Sequence, residues 1–570
     1  MFSYLNPLPH LPDHYPGPHK VGTTEVEIPI SDIESTTTIP DSSITTIKFR
    51  LYYPTAQNAK SDRPIYWVQD PQKESNDAFA SFLGADTGVM SYVTKGGLSM
   101  WNHAKIPAIR DAPLLPTSQE QKHPVCFFSH GLGGNFNTYS SICGTLASCG
   151  IVCIAPEHRD GSAPVTFVRN AKGQIESTVS YKKVSHQPTP EMLNARNTQL
   201  RSRLWELDLL YAATTALNSG KIFTNYAVIG NEKDNESWKQ TSKTFARSLN
   251  LGSGQVTWAG HSFGATTMTQ FVKSVFYHKS LPEAPSSDSN SESRWDWRPL
   301  LQCTSDSPLV KQITPESPIA LLDLWTMPLR GDTTKWLWEH PMPCYHRESI
   351  SADSKAPNMV SIISAEFYKW TDLLNRTRAV LARNPPGALE AFQSKKPDEK
   401  SAAPAAAGDT RPQAPVPELS KLTSETEQTM SQARKSSLQP PSADLSRSPS
   451  PSQSQSHSEA SSPRSSATSL APSMHNEKTP STNEPHFYLV PQSAHLSQSD
   501  FGVLFPNLTK YVMKAIEPEK TIELNVRAIL AVMKGRGLHV DSLLKGADED
   551  QILSGEAKEA RWVRVPLVDG

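Results

Sequence analysis

The chain has 570 residues, more than one hydrophobic core usually needs, so one large domain with additional segments is the starting expectation. Its 56 basic and 57 acidic residues leave a formal net charge of −1 without any basic stripe, which argues against a nucleic-acid partner. None of the six cysteines forms a CxxC pair, so metal and redox motifs are absent from the sequence. Four of them lie in apolar runs, which is typical of buried thiols in a reducing compartment.

The N-terminal stretch MFSYLNPLPHLPDHYPG has no basic region, and prolines interrupt its apolar residues, so no signal peptide is predicted. No apolar run approaches the ~18 residues that a membrane span requires. We therefore expect a soluble cytoplasmic protein whose contact with membranes, if any, is peripheral.

Short apolar runs alternate with helical patterns along the chain. Strands are predicted at 125–129, 151–155, 255–259, 319–324, 359–364 and 487–490. Most of these runs are apolar throughout, as in parallel strands that are covered on both faces. Helices are predicted at 139–148 and 197–217, and the alternating runs 45–53 and 64–68 predict an antiparallel edge. This alternation predicts a doubly wound, mostly parallel α/β sheet with helices on both faces.

A change in composition divides the sequence. Residues 385–484 are rich in Ser, Pro, Ala and Gln, and 13 of the 30 residues in 441–470 are serine. Such a segment cannot bury enough apolar surface to offset its backbone entropy, so we predict a disordered insertion. Its Ser-Pro steps are candidate phosphorylation or regulator-binding sites, and a tolerated surface insertion is the alternative. The predicted organisation is a domain in two parts, 1–384 and 485–570, whose flanking strands still pair. Shorter charged or Ser-rich insertions are predicted near 231–243 and 284–293.

Ser262 lies in GHSFG, between a predicted strand and a predicted helix. Gly-x-Ser-x-Gly at such a junction is typical of the nucleophile elbow of the α/β-hydrolase fold, in which the turn is strained and larger side chains would collide with backbone. A polar residue at a helix N-cap is the alternative interpretation. We predict the α/β-hydrolase fold, with Ser262 as its nucleophile.

A serine nucleophile needs a base and an acid, which follow it in that fold in the order acid, then histidine. Asp323 ends an apolar strand in IALLDLW, where a buried carboxylate needs a partner; a cap on the next loop is the alternative. Eight histidines follow Ser262 in the chain. We favour His495, on a small polar loop after the last predicted strand, over His486, which opens that strand and is interpreted as an edge residue.

The glycine-rich loop HGLGG directly follows the strand at 125–129. Loops of this kind supply backbone amides that stabilise an oxyanion in hydrolases of this fold. We predict the N–H groups of Leu132 and Phe263 as the two donors, and an orienting role for His130. No GxxxxGK[ST] sequence is present, so a phosphate-binding loop is not predicted.

Together these residues carry a more specific resemblance. FSHGLGG, IVCIAPEHRDGSA, GHSFGA, IALLDLWTMPL and SAHLSQSDF resemble the platelet-activating factor acetylhydrolase family, over about 48–505 without the insertion. The EHRDGSA and DLWTMPL segments are the more particular ones. The family's triad corresponds to Ser262, Asp323 and His495, and its oxyanion donors correspond to Leu132 and Phe263. Members of this family are calcium-independent phospholipases, so the resemblance implies no metal and no cofactor.

The resemblance implies hydrolysis of an acetyl, short or oxidised acyl chain at the sn-2 ester of a glycerophospholipid, which is the expected partner molecule. A broader carboxylesterase or lipase acting on neutral esters is one alternative, and a non-catalytic interaction scaffold is another. The Trp-rich stretches at 295–297 and 336–338 are candidates for transient membrane-surface contact. Packing over the acyl pocket or the core is the alternative for these stretches.

Overall fold

The structure is a computed structural model of the whole chain. The part of the chain that it describes comprises residues 9–35, 37–84, 99–118, 121–280, 299–346, 358–394, 485–511, 513–545 and 562–567.

The described strands and helices follow one another along the chain in an α/β pattern. The strands are β1 (Lys20–Pro29), β2 (Thr46–Thr55), β3 (Ile65–Tyr66), β4 (Lys105–Ile106), β5 (Ile109–Arg110), β6 (His123–Ser129), β7 (Val152–Glu157), β8 (Val165–Arg169), β9 (Ile175–Ser180), β10 (Leu249–Asn250), β11 (Thr257–His261), β12 (Ile319–Leu322), β13 (Met359–Ser364), β14 (His486–Val490) and β15 (Val563–Arg564). The helices are α1 (Gln72–Phe82), α2 (Ser140–Ser148), α3 (Pro190–Asn218), α4 (Glu232–Lys243), α5 (Phe263–Phe276), α6 (Pro308–Gln312), α7 (Asp332–Trp338), α8 (Ala365–Tyr368), α9 (Thr371–Leu381), α10 (Pro385–Ser394), α11 (Asp500–Leu504), α12 (Pro506–Tyr511) and α13 (Pro518–Gly535).

One large sheet organises the described residues. Its strand order is β15-β14-β13-β12-β11-β6-β7-β2-β1-β5, with β10 paired to β6. From β14 to β7 all neighbouring strands are parallel, whereas β2 pairs antiparallel with both β7 and β1. Because parallel strands share a carboxyl edge, the loops that leave β6, β11, β12, β13 and β14 meet on one side of the molecule. The predicted α/β-hydrolase fold is confirmed.

Helices cover both faces of the sheet, as predicted. On one face, Phe127 of β6 packs in a core with residues of α3 and α5, while the next residue, Phe128, packs with α2 and α13 on the other face. Both phenylalanines are almost completely buried. Since successive side chains of a strand point to opposite faces, a sheet covered on both sides requires apolar residues at every position. This requirement explains why VCFFS is apolar without alternation.

The antiparallel edge differs from its prediction in two ways. The run 64–68 contains only the short strand β3, which pairs with β4 in a separate two-stranded sheet. In its place β1, which was not predicted, pairs with β2 along its whole length. The carboxylate of Glu27 in β1 is buried and accepts a hydrogen bond from Arg159 at 2.8 Å. Because β1 buries charged side chains that are paired with other charges, its sequence contains no apolar run from which a strand could be predicted.

Two predicted insertions contain helices instead. Residues 232–243 form α4, whose Trp238 is buried, although the charged sequence predicts a surface insertion. The start predicted for the long insertion is also wrong, because α10 occupies its first ten residues. The proline pair at the start and the following Ala, Leu and Glu residues favour a helix, and Ala388 is completely buried. Residues 395–484 lie outside the described residues.

The strands on either side of the long insertion pair directly, as predicted. β13 and β14 are parallel neighbours, with Ile362 opposite Tyr488.

The side chains of Trp336, Leu337 and Trp338 are buried, which agrees with packing rather than surface contact for these three residues. Residues 295–297 lie outside the described residues. All six cysteines are buried and none of them forms a disulfide, and within the described ranges no helix is long and apolar enough to cross a membrane.

Candidate active site

Ser262 occupies a strained turn between β11 and α5. Its backbone has φ +55° and ψ −117°, a conformation that residues with a side chain rarely adopt. A Cβ atom on Gly260 would lie 2.5 Å from the carbonyl carbon of Gly264, and a Cβ atom on Gly264 would overlap the carbonyl oxygen of Ser129. Both glycines are therefore required by close backbone approach. The turn places Ser262 at the carboxyl edge of the sheet.

Asp323 and His495 are brought together at the same edge. Asp323 follows β12, with φ +43°, and its side chain is completely buried. One carboxylate oxygen, Oδ1, accepts a hydrogen bond from the backbone N–H of Ser364 at 2.6 Å. The other, Oδ2, lies 2.9 Å from Nδ1 of His495. This pair leaves Nε2 of His495 as the nitrogen that is available to a nucleophile.

The hydroxyl of Ser262 is not hydrogen-bonded to His495 among the hydrogen bonds found between described residues. Catalytic hydrogen bonds are often long in ligand-free hydrolases and tighten when substrate binds. His486 lies at the amino end of β14, where it pairs with Val360, and thus at the opposite edge of the sheet. Of the two histidines weighed from the sequence, the structure brings His495 to the acid.

Two aromatic rings hold the imidazole of His495. The ring of Phe367 stacks on it at 4.1 Å between centroids and 5° between planes, and the ring of His261 packs against it at 4.4 Å and 34°. The backbone N–H of His495 donates to the carboxylate of Glu366 at 2.9 Å. About a fifth of the imidazole is exposed, 22% by side-chain area. Stacking thus fixes the ring plane while one edge stays accessible. Neither Phe367 nor His261 was predicted.

A second chain of hydrogen bonds joins the elbow to the glycine-rich loop. The hydroxyl of Tyr139 accepts from the backbone N–H of Gly131 at 3.1 Å and lies 2.7 Å from Nδ1 of His261. Burial lowers the pKa of His261 well below its usual value, so this imidazole is neutral. We assign the Tyr139 hydroxyl as donor to Nδ1, because its single proton is still available after its oxygen has accepted from Gly131, and the neutral imidazole can accept at this nitrogen. His261 is therefore a structural neighbour of the candidate base rather than a second base.

The two predicted oxyanion donors have amides without a hydrogen-bond partner in the described part of the chain. Phe263 is the first residue of α5, and the first N–H groups of a helix have no partner within it. None of the hydrogen bonds found among the described residues uses the amide of Leu132 or of Phe263. A Cβ atom on Gly131 would lie 3.1 Å from Cβ of Ser262, so the glycine-rich loop runs against the nucleophile. These amides are available to a negative charge that develops beside Ser262.

A completely buried group of side chains lies behind the glycine-rich loop. Oγ of Ser129 is 2.9 Å from Nε2 of His158, and Nδ1 of His158 is 2.6 Å from Oε2 of Glu206. We call Ser129, His158 and Glu206 the inner chain. Burial raises the pKa of Glu206 to about 8 and lowers that of His158, so both are neutral near pH 7. The inner chain was not predicted from the sequence. One signal was available: Ser129 is the last residue of β6, and His158 directly follows the neighbouring strand β7.

His130 contacts the glycine-rich loop directly. Its Nδ1 lies 2.8 Å from the carbonyl oxygen of Gly131. Burial, together with the nearby charge of Arg203, lowers the pKa of His130 to about 3. A neutral imidazole that donates to its own loop agrees with the orienting role predicted for this residue.

The candidate base, its acid and His261 also form the one group within the described residues whose ligand-type atoms lie within 4.8 Å of one another. Imidazoles and a carboxylate can bind Zn²⁺. However, Nδ1 of His495 lies 2.9 Å from the carboxylate of Asp323, and Nδ1 of His261 lies 2.7 Å from the hydroxyl of Tyr139. Both nitrogens therefore already have protein partners. We interpret His495 and Asp323 as a proton-transfer pair, with His261 packed beside it.

A buried carboxylate links the segment that carries His495 to the start of α2. Asp500 accepts hydrogen bonds from the backbone N–H groups of Ser140 and Ser141 at 3.0 and 2.9 Å, and from the indole of Trp67 at 2.9 Å. A carboxylate is favoured at a helix N-terminus, where backbone N–H groups have no other partner. The last part of the domain is thus anchored directly after the glycine-rich loop.

Comparison with known proteins identifies relatives of this chain. The family model described as platelet-activating factor acetylhydrolase, isoform II, matches residues 9–282. The family resemblance is confirmed over these residues. They include Leu132, Ser262 and Phe263, whereas Asp323 and His495 lie beyond the match.

Individual relatives agree with the family match. A putative phospholipase A2 of Schizosaccharomyces pombe is 28% identical over 259 residues, which cover 44% of this chain and 57% of the relative. The platelet-activating factor acetylhydrolase of Bos taurus is 32% identical over 225 residues, which cover 39% of this chain and 45% of the relative. The chain thus spans about half the length of these curated relatives.

A solved structure, a ferulic acid esterase from Streptomyces cinnamoneus, aligns over 96% of both chains with 11% identity and a TM-score of 0.39. A likeness of this size carries no argument, so the fold assignment rests on the strand order and the elbow.

Proposed function

We propose that this protein is a carboxylic ester hydrolase that cleaves the sn-2 acetyl or short acyl ester of glycerophospholipids. The observation that carries the proposal is the hydrogen bond of 2.9 Å between Asp323 and His495, at the strand edge where Ser262 occupies a strained turn. The family match and the names of the relatives support a phospholipid ester as the substrate class. Among ester hydrolases this favours a phospholipase over an enzyme for neutral esters.

In the proposed reaction Oγ of Ser262 attacks the acyl carbonyl carbon while Nε2 of His495 takes the hydroxyl proton. Asp323 accepts the Nδ1–H of the imidazolium and stabilises its charge. The carbonyl oxygen becomes an oxyanion that the amides of Leu132 and Phe263 stabilise, at roughly 3 to 4 kcal/mol for each donor. The ester C–O bond then breaks as His495 returns the proton to the departing lysolipid oxygen. A water molecule, activated by the same imidazole, hydrolyses the acyl-enzyme.

The domain organisation forms part of the proposal. Residues 1–384, extended by α10 to residue 394, and residues 485–570 would make up one hydrolase domain, with the insertion between its acid and its base. Phosphorylation or regulator binding within residues 395–484 and transient contact with a lipid surface stay predictions.

The test is turnover of phosphocholines whose sn-2 chain lengthens from acetyl to palmitoyl, with Ser262→Ala as the control variant. We expect the acetyl substrate to react fastest, and the alanine variant to lose turnover by about a millionfold while its circular dichroism is unchanged. Comparable turnover by both proteins would refute the role of Ser262. Faster hydrolysis of a triglyceride than of the acetyl phosphocholine would favour the broader esterase or lipase instead.

A further inference from the structure

The EHRDGSA segment has no part in the proposed chemistry, yet its Asp160 forms a fully buried ion pair next to the glycine-rich loop. Nε of Arg203, on helix α3, lies 2.6 Å from Oδ2 of Asp160, and neither side chain is exposed. Such a pair is costly to desolvate, and it is stable only if its remaining donors and acceptors are also satisfied. The other contacts of Arg203 therefore show where the guanidinium acts.

Arg203 holds both ends of the glycine-rich loop. One guanidinium nitrogen, Nη1, donates to the carbonyl oxygen of His130 at 2.7 Å, and the other, Nη2, donates to Oγ of Ser162 at 2.5 Å. The backbone carbonyl oxygen of Ser162 in turn accepts a hydrogen bond from the backbone N–H of Gly133 at 2.8 Å. Leu132, a candidate oxyanion donor, lies between these two fixed points.

The same guanidinium contacts the first turn of α5. Its central carbon lies 4.5 Å from the ring centroid of Phe263, and Nη1 is 3.3 Å from Oγ1 of Thr267. That hydroxyl also donates to the carbonyl oxygen of Phe263 at 2.8 Å. One cation thus touches the segments that carry both candidate oxyanion amides.

We propose that Arg203, oriented by Asp160, is a positioning residue that fixes the Leu132 and Phe263 amides relative to each other. The inference rests on the proposed function, in which these two amides bind the oxyanion. Arg203 is buried behind both segments, so it does not reach substrate. Its loss should therefore weaken stabilisation of the transition state and leave substrate binding nearly unchanged.

Lysine is the informative replacement at this position. A lysine keeps the positive charge for Asp160, but its single nitrogen cannot reach Asp160, His130 and Ser162 in the fork geometry of a guanidinium, and it does not stack on Phe263. Arg203→Lys therefore separates the positioning role from the role of charge in folding.

Arg159→Lys is the matched control. Arg159 precedes Asp160 directly, is 5% exposed, and donates to the carboxylate of Glu27 at 2.8 Å and to the carbonyl oxygen of Phe167 at 2.9 Å. Within the described part of the chain, the hydrogen bonds of Arg159 go to neither the glycine-rich loop nor α5. This substitution perturbs a buried arginine–carboxylate pair without touching either oxyanion segment.

The experiment measures kcat and KM for the acetyl phosphocholine, and the affinity of a trifluoromethyl ketone analogue, whose adduct with Ser262 carries an oxyanion. For Arg203→Lys we expect kcat to fall about 100-fold, KM to change less than about threefold, and the analogue to bind about 100-fold more weakly. For Arg159→Lys all three values should stay within about threefold of wild type. If Arg203→Lys does not fold, Ser162→Ala, which keeps the ion pair, should lower kcat about tenfold.

Two outcomes would overturn the inference: wild-type kcat and analogue affinity in folded Arg203→Lys, or equal losses in both lysine variants. Wild-type kcat in Ser162→Ala would overturn it where Arg203→Lys is unfolded. Failure of the proposed function is recognised separately, since wild-type protein would then show neither turnover nor labelling of Ser262 by a fluorophosphonate. If the wild-type protein is active and is labelled at Ser262, but Arg203→Lys keeps the wild-type kcat and analogue affinity, only the positioning role of Arg203 is contradicted.

Discussion

Two serine–histidine–carboxylate groups lie close to the carboxyl edge of the sheet, and they differ in what surrounds them. In the inner chain both hydrogen bonds are formed, at 2.9 and 2.6 Å. In the candidate triad of Ser262, His495 and Asp323, only the bond between histidine and acid is formed. By hydrogen-bond geometry alone the inner chain would be the better triad.

Access and backbone strain distinguish the two groups. Ser262 has φ +55° in an elbow turn next to two amides that have no hydrogen-bond partner among the described residues, whereas Ser129 ends a regular strand. The His495 side chain is 22% exposed, while His158 has no exposed surface. A reactive serine therefore requires an approach for substrate and donors for the oxyanion, in addition to a base. The inner chain is closed to substrate, so we interpret it as a structural group behind the glycine-rich loop.

After Ser262→Ala, the largest expected effect comes from the acid of the candidate triad. Asp323→Asn should keep the hydrogen bond from Ser364 but favour the wrong tautomer of His495, and we expect kcat to fall about 10⁴-fold. Steady-state turnover of the acetyl phosphocholine measures this. Glu366→Gln is the control, because that carboxylate accepts from the backbone of His495 and not from its ring, and its loss should be below about tenfold. If kcat of Asp323→Asn also fell less than about tenfold, Asp323 would be a cap on the following loop, which is the alternative interpretation of the sequence.

The acid of the inner chain should matter for stability instead. Glu206→Ala leaves Nδ1 of His158 and the backbone N–H of Arg159 without their buried partner, so we expect a loss of about 3 kcal/mol in the free energy of unfolding. Glu206→Gln preserves both contacts and should lose about 1 kcal/mol or less. Urea unfolding of the two variants measures the difference. Equal losses would show that the negative charge of Glu206, rather than its hydrogen bonds, stabilises the fold.

The same residue predicts a dependence of stability on pH. Burial raises the pKa of Glu206 from 4.5 to about 8, so between these values the folded chain holds a proton that the unfolded chain has released. Its contribution is therefore fully present below about pH 4.5 and is lost as pH rises through about 8. Glutamine does not titrate, so the stability of Glu206→Gln relative to wild type should rise with pH across this window. A constant difference between the two proteins would contradict the raised pKa.

A smaller effect is expected at the inner serine. Ser129→Ala removes the hydrogen bond to His158 and a long one, of 3.4 Å, that Nη1 of Arg203 donates, and it should lower the free energy of unfolding by about 1 kcal/mol. Turnover should stay within about fivefold of wild type, in contrast to Ser262→Ala. Chemical denaturation and turnover of the same preparations give both values. A loss of turnover comparable to that of Ser262→Ala would mean that the two groups have been assigned the wrong way round.

Removal of residues 400–481 should change turnover least, within about twofold. The inner chain lies entirely before the insertion, whereas the candidate triad has members on both sides of it. The strands β13 and β14 already pair, and shortening the connection gains roughly 0.6 kcal/mol in closure entropy for each halving of its length. Thermal unfolding and turnover of the shortened protein measure this. Loss of turnover with an intact inner chain would show that the insertion helps to seat His495.

The central sheet could be predicted because its strands are apolar at every position and are separated by helices. Ser262, Asp323 and His495 could be selected for a related reason: each follows such a strand, and the chain order of the three roles is fixed in this fold. Their catalytic roles stay predictions, but their placement at one edge is a direct result of parallel strand pairing.

Residues that combine charge with burial could not be predicted. Glu27 in β1 and Arg203 in α3 are ordinary polar positions in a one-dimensional pattern, because hydropathy cannot distinguish a solvated charge from one paired in the interior. The same limit hid α4, whose sequence is strongly charged but whose Trp238 is buried. Which charges pair is decided by contacts between segments far apart in sequence.

The position of His495 after the insertion has a consequence for synthesis on the ribosome. A nascent chain that has emerged as far as β13 already contains the nucleophile, its elbow and the acid, but no imidazole to accept the proton. Activation in the proposed mechanism waits for the segment 485–511, and Asp500 of that segment must dock on the start of α2. Chemical competence would therefore arrive only after the insertion has been synthesised.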